Sequence, residues 1–276
     1  MNDPVTYTAV LPLSRPSVDF VADHLVAHRA RLGTRTGRRV LGCLEQAVLA
    51  LRWMLDGTRI AQLSVDNAMS LSTAYRYVHE VLAVLAAQAP SLHQALVAAR
   101  AAGHAHVMID GTLIATDRCR TIGPTSGVDL WWSGKAHHHG GNVQVVTAPD
   151  GWPIYTSPVR PGREHDTAAA RAHPDLLPEL TAWHQGGRAV LADLGYEGER
   201  DLMLLPVRGK RNGAREVDAL TYNALQTALR AVAERGNTLL KTTFKALRHV
   251  SLDPGRIGAM TAAALVILHV EHHRTV

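Results

Sequence analysis

Between positions 17 and 100, apolar residues return every three or four places, the spacing that gathers them on one face of an α-helix. The stretches SVDFVADHLVAHRARL, RRVLGCLEQAVLALRWML and the alanine-rich run ending SLHQALVAARAAG all carry it. From His104 the pattern shortens to strand-like runs, HAHVMIDGTLIAT, VDLWWSG and GNVQVVTAPDGWPIYTSPV, the last broken by an Asp150-Gly151 pair that reads as a hairpin turn. Three consecutive strands are predicted. A helix over DTAAARAHPDLLPELTAW follows, then a strand over RAVLAD, a short strand over LMLLPV, a basic loop RGKRNGAR and a long helix from about Val217. The chain therefore divides near residue 103 into a helical half, 1–103, and an α/β half, 104–276, whose element order suits a mixed sheet flanked by helices. The apolar stretch IGAMTAAALVILHV is too short to span a bilayer comfortably and reads as a buried C-terminal helix.

Within the helical half, GTRIAQLSVDNAMSLSTAYRYVHEVLAVLAA has the layout of a helix-turn-helix: a first helix around residues 59–67, a tight connection, and a second helix from about Ser72, capped by Ser72 or Thr73. On this layout Thr73, Arg76 and Tyr77 project from the exposed N-terminal half of the second helix, where a recognition helix meets base edges or phosphates. Ala74, Val78 and Leu82 then pack inward. Two amphipathic helices packed in a bundle would leave the same pattern, and the connection has no glycine.

Charge sharpens the choice of partner. Lys and Arg outnumber Asp and Glu by 29 to 24, and the sequence pI is about 9.5, a balance that favours an anionic partner such as nucleic acid. The two cysteines, Cys43 and Cys119, have no metal or redox spacing and read as packing residues of a reducing interior. The opening MNDPVTYTAVLPLSRP lacks the basic flank and apolar core of a signal peptide, so the expectation is a cytoplasmic protein with no membrane partner.

Three carboxylates stand out on separate elements. Asp110 sits inside the apolar strand VMIDGTLIA, where a charge is costly unless it is paired or metal-bound. Asp193 closes the strand RAVLAD, and Glu234 lies on the long late helix. Each has an ordinary alternative, as a strand-edge Asp, a turn Asp and a surface Glu. If the strands are neighbours and the helix crosses them, the three converge, and such a cluster either holds a proton or binds divalent cations.

The second half resembles the DDE transposases of the Harbinger-like insertion-sequence class. The motifs IDGTLI, WWSGKAHHHGGNVQVVTAPDGWPIYTSPVRPGREHD, LADLGYEG and AERGNTLLKTTFKALR match in order. The resemblance implies an RNase H-like catalytic core, with Asp110, Asp193 and Glu234 as an acidic triad holding two Mg²⁺ ions, for which Mn²⁺ substitutes. It implies a transposase that binds the terminal inverted repeats of its element, hydrolyses phosphodiesters and joins the freed ends to target DNA, acting as a homo-oligomer that is at least a dimer on DNA. Transposases of this broad class often carry a Tyr, Arg, Glu, Lys series on the late helix. Here Arg230, Glu234 and Lys241 fall on one face, but Thr227 stands at the Tyr position.

Arg230 and Lys241 are expected to contact phosphates, as are Lys135 and the basic-loop residues Arg208, Lys210, Arg211 and Arg215. His165 and Asp166 match a family HD pair and would support the site from behind, although Asp166 also reads as the N-cap of the helix after it. In KAHHHGG, adjacent histidines alternate faces, so DNA contact or simple exposure is favoured over a metal site at His137, His138 and His139. Two alternatives remain open from sequence: a catalytically silent DNA-binding regulator derived from a transposase, and an RNase H-like nuclease without end joining.

Overall fold

The computed structural model describes residues 9–35, 37–208 and 217–274. Helices α1 (Arg15–Arg31), α2 (Cys43–Asp56), α3 (Ile60–Asp66), α4 (Leu71–Ala86) and α5 (Leu92–Ala101) come first. Strand β1 (His106–Ala115) follows, then β2 (Trp132–Ser133), β3 (His138–Thr147), β4 (Pro153–Thr156) and β5 (Arg160–Pro161). The chain continues through α6 (Asp166–Arg171), α7 (Leu176–Gln185), β6 (Ala189–Leu191), α8 (Val217–Thr243) and α9 (Ile257–Glu271). Among the described residues no helix is long and apolar enough to cross a membrane.

Strand β1 is the pivot of the sheet. It pairs antiparallel with β3 on one side and parallel with β6 on the other. The far edge of β3 is covered in turn by β2, β5 and β4. Because side chains alternate along a strand, the sheet sorts its residues cleanly between two cores. Val107, Ile109, Val146 and Val190 face α5, α6 and α7, where Leu96, Leu180 and Trp183 meet them. On the other face Met108 and Leu191 pack against Ala233 of α8. Further along that face, Ile114, Val143 and Val145 join a core built from α1, α2, α4, α9 and the end of α8. The result is a mixed sheet flanked by helices, the layout expected of an RNase H-like core.

Helix α9 is buried on nearly all sides, which its unbroken apolar sequence requires. It carries the core of the helical half directly onto the sheet, so the hydrophobic interior is continuous across residue 103. Its last residue, Glu271, also caps α1. The Ser14 backbone N–H and the hydroxyls of Ser14 and Ser17 donate to its carboxylate at 3.0, 2.8 and 2.6 Å, placing negative charge at the positive end of the helix. Burial would raise the proton affinity of Glu271, but the hydrogen bonds from Ser17 and Ser14 outweigh it and hold the carboxyl below its ordinary range.

Several elements differ from the sequence expectation. The helix expected over 166–183 is two helices, because Pro174 disfavours helical backbone at the residue before it and removes an N–H. The strand expected over VDLWWSG shrinks to Trp132–Ser133, since the Leu130 N–H is drawn to the Thr121 carbonyl and that of Trp132 to Asp129. LMLLPV contributes a single parallel bridge, Leu204 to Leu191, beside a strand of three residues and just before Pro206. Helix α4, the second helix of the pair expected as a helix-turn-helix, begins one residue earlier than expected, with Ser70 as its cap. The Ser70 hydroxyl accepts from the Thr73 N–H at 3.2 Å. Its connection needs a left-handed residue, and Ala68 fills it at φ +48° where a glycine would be less strained.

The Asp150-Gly151 turn joins β3 to β4 as expected and does a second job: it seats α8. A Cβ at Gly151 would stand 2.1 Å from the Val232 carbonyl oxygen, and one at Gly236 would stand 2.8 Å from the Gly151 oxygen. Backbone therefore lies against backbone on either side of Glu234. Gly151→Ala should cost about 2–4 kcal/mol in urea denaturation, from a left-handed φ and a clash with α8 together. Gly127→Ala has a similar φ of +74° but meets open space, and should cost only about 1 kcal/mol. Equal losses would show that the contact with α8 contributes nothing.

Candidate active site

The parallel ladder of β1 on β6 ends at Met108 and Leu191. Asp110 and Asp193 lie two residues beyond that pair, on the same face of the sheet as Met108 and Leu191, beneath α8. Asp193 keeps extended backbone (φ −91°, ψ 180°), and its Oδ1 accepts from the Gly195 N–H at 2.7 Å, capping the 3-10 turn over Leu194–Glu199. Asp110 is largely enclosed, and its Oδ2 accepts from Asn237 Nδ2 at 2.7 Å.

Helix α8 supplies the rest. Arg230, Glu234, Asn237 and Lys241 recur at spacings of four, three and four, hence on one face. Arg230 Nη2 lies 3.9 Å from both Asp193 Oδ2 and Glu234 Oε1, bridging the two acids. Glu234 remains 64% exposed at its side chain. Lys241 is turned inward and donates to the Leu113 carbonyl at 3.0 Å. Burial lowers the proton affinity of its amine, and the nearby Asp110 offsets this in part. Thr227, at the position where a Tyr is common, spends its hydroxyl on the Asn223 carbonyl of its own helix.

Asp166 is the first residue of α6 and not its cap, which is His165 without a side-chain bond. Its carboxylate reaches across the end of the sheet, where Oδ1 accepts from Asn142 Nδ2 at 2.9 Å. Asn142 Oδ1 accepts in turn from Gln144 Nε2 at 2.9 Å, and the Tyr196 hydroxyl donates to Gln144 Oε1. His165 is exposed and, with Lys135 and Asp166, lines a cleft of about 850 Å³ beside the carboxylates.

Other expected contacts are distributed less evenly. Thr73 is half-buried, and its hydroxyl accepts from the exposed Arg76 at 3.1 Å. Tyr77 cannot project toward DNA: it is 3% exposed, and its hydroxyl accepts from the backbone N–H groups of Val40 and Leu41. It belongs to the inward stripe with Ala74, Val78 and Leu82, and the exposed aromatic on this helix is Tyr75. Arg208 is exposed and pairs with Glu197 at 2.8 Å, whereas Lys210, Arg211 and Arg215 lie outside the described residues. His139 is buried against Asp129 at 2.9 Å, and His137 lies outside the strand with φ +57°. Sequence reasoning missed Asn237, Asn142, Gln144 and Tyr196. Asn237 was findable as the residue that shares a helix face with Glu234 and Lys241. Asn142 and Gln144 were findable as polar residues alternating with valines in a buried strand.

Among the described residues, no three Asp, Glu, His or Cys side chains stand close enough to share one ion in this conformation. The donor chemistry nonetheless fits a hard divalent cation. Carboxylates crowd Asp110, and Arg230 is the cation set between two of them. Asn237 Oδ1 adds a buried acceptor with no hydrogen-bond partner among the described residues. The Asp110 carboxyl is pushed up from 3.8 to about 6, by burial first and then by Asp193 and Asp166, with Arg230 opposing and Glu234 adding a little.

A carboxyl whose pKa is raised on folding stabilises the native state fully below its unfolded pKa, and that contribution is lost as pH rises through the folded value. In EDTA, Asp110→Asn should therefore be more stable than the native chain by roughly 2–3 kcal/mol at pH 8, with the difference vanishing towards pH 4. Urea midpoints of both proteins across that range measure it, and a pH-independent difference would rule out the crowding.

A family model described as DDE superfamily endonuclease matches residues 109–269. No curated protein and no solved structure matches the chain. The matched span begins one residue before Asp110 and takes in Asp193, all of α8 with Arg230, Glu234 and Lys241, and most of α9, more than half of the 276 residues. This chain belongs to the DDE superfamily of endonucleases.

Proposed function

We propose that the protein is a DNA transposase that binds the terminal inverted repeats of its own element, cuts phosphodiesters there and transfers the freed 3′ ends to target DNA. The observation that carries the reading is the meeting of Asp110 and Asp193 on one sheet face beneath the helix that bears Glu234, Arg230 and Lys241. Asp110, Asp193 and Glu234 would hold divalent cations, Mg²⁺ with Mn²⁺ as a substitute and two per site, which supply positive charge to the attacked phosphate and favour the deprotonated nucleophile. Asn237 holds Asp110 by one oxygen and leaves the other lone pairs of the carboxylate free. Arg230 and Lys241 neutralise the phosphate flanks, and Lys135 and Arg208 extend the cationic path, together with Lys210 and Arg211. His165 and Asp166 support the acids from the cleft side.

In this reading residues 1–103 form the DNA-binding domain and residues 104–276 the catalytic domain. Helix α4 is the reading helix, with Arg76 and Thr73 at its leading end. Tyr75, exposed beside them, takes the place that Tyr77 cannot fill. The working form is a homo-oligomer, at least a dimer on DNA, in the cytoplasm at the nucleoid.

Asp193→Asn removes a ligand charge at nearly constant volume, so Mg²⁺-dependent cleavage of DNA carrying the flanking repeats should fall to background while affinity for that DNA stays unchanged. Cleavage at the native rate would end the assignment. Arg76→Ala should weaken binding to the repeats about tenfold and binding to random duplex much less. Equal weakening on both in a gel-shift titration would make Arg76 a phosphate contact only.

A further inference from the structure

Nothing in the backbone ladder holds Asp110 and Asp193 at a fixed separation, because the hydrogen-bonded pairing of their strands stops at Met108 and Leu191. Another group occupies that place. The Asp166 carboxylate is wedged between the residues that follow the two aspartates: a Cβ at Gly111 would stand 2.0 Å from Asp166 Oδ1, and one at Gly195 would stand 3.0 Å from Asp166 Oδ2. Both positions are glycine, so the carboxylate rests on bare backbone, within β1 at Gly111 and in the turn after β6 at Gly195.

The wedge is itself anchored. Asn142 donates to Asp166 Oδ1 at 2.9 Å and to the Glu164 carbonyl at 3.2 Å, so its amide cannot rotate without losing both. Gln144, fully buried, donates to Asn142 Oδ1 and accepts from the Tyr196 hydroxyl, which is also fully buried. The chain of donors runs one way, from a phenol that donates, through two amides that each accept and donate, to a carboxylate that only accepts. Such a network is rigid when every member is satisfied and costly when one is removed. Tyr196 keeps its proton, since burial first and then Asp166, Asp110 and Asp193 raise its pKa well above the ordinary value.

We propose that Asp166, Asn142, Gln144 and Tyr196 form a positioning brace that sets the separation of Asp110 and Asp193. The brace acts through its contacts with Gly111 and Gly195 and takes no part in the chemistry. It rests on the endonuclease reading, and it assigns Gln144 and Tyr196, deep in the sheet, a role in metal affinity and turnover.

The test uses the full chain with four measurements: Mn²⁺ binding by calorimetry, affinity for repeat-bearing DNA, the Mg²⁺-dependent cleavage rate and the melting temperature. Asp166→Ala and Asn142→Ala should each weaken Mn²⁺ binding and slow cleavage by roughly 10–100-fold, the range seen when a ligand loses its supporting partner. DNA affinity should stay close to native; the melting temperature falls in each variant, because a buried partner is left unpaired, but it should not rank the variants by their loss of Mn²⁺ affinity. Asp166→Asn, which keeps an oxygen for Asn142, should recover most of the loss. Tyr196→Phe should fall in between, and the double variant Asp166→Ala/Asn142→Ala should be no worse than either single one.

Native Mn²⁺ affinity and cleavage in Asp166→Ala overturn the brace. So does a loss that tracks the melting temperature, which marks a folding role, or an Asp166→Asn variant as deficient as Asp166→Ala, which marks a need for charge. A native protein that binds Mn²⁺ but cuts no DNA overturns the endonuclease reading, while the Mn²⁺ arm still decides the brace. One that does neither overturns both.

Discussion

Like charges held close together set the terms for the rest of this molecule. Burial raises the proton affinity of Asp110 most, and the charges of Asp193, Asp166 and Glu234 raise it further. Left to themselves, such carboxylates would swing apart, since the repulsion grows as surrounding protein displaces water. Each is therefore held by something it cannot easily leave. Asn237 holds Asp110 from α8, the Gly195 N–H holds Asp193, and Asn142 holds Asp166. Arg230, set between Asp193 and Glu234, supplies the opposite charge. Glu234 is the least confined of the four, being exposed on a helix whose position depends on the glycine contacts at Gly151 and Gly236.

That dependence reaches back to the first helix. The end of α8 shares a core with α1, α2, α4 and α9, so α4 is not tethered loosely to the sheet. Helix α4 lies on α9, α9 lies on β4, and Glu271 at the far end of α9 caps α1. The exposed side of α4 is thus connected through packed side chains to the sheet that bears the acids. Interiors packed this tightly move as units and do not deform smoothly.

How much of this was readable beforehand follows from which features are local. Asp110, Asp193 and Glu234 stood out because each lies in a motif, and the pairing of β1 with β6 beneath α8 is what sets the three elements near one another. The hairpin at Asp150-Gly151 and the start of α8 near Val217 were legible from equally local signals. Tyr77 was misread because a helical wheel fixes relative angles and not the width of the buried stripe, and the loop at Val40 and Leu41 that covers it comes from elsewhere in the chain. Of the proposed brace only Asp166 was read, as a residue supporting the site from behind. The brace joins residues 142, 144, 166 and 196, and only the pairing of β1 with β3 sets Gly111 opposite Gln144.

The Asp110-Gly111 step condenses the whole arrangement into two residues. Alternation in a strand sends Asp110 to the α8 face and leaves the other face for Gly111. A side chain at Gly111 would fill the space that the Asp166 carboxylate occupies. The aspartate and the glycine therefore answer separate demands on opposite faces of one strand. One presents an acid beneath α8, and the other keeps a place for the acid that arrives from α6. The glycine's conformational freedom is not what this position uses, since its backbone lies within the regular β1 ladder and pairs with Gln144. What matters is the missing Cβ: any larger residue would drive Asp166 away from Asn142 and free the end of the sheet on which Asp193 depends.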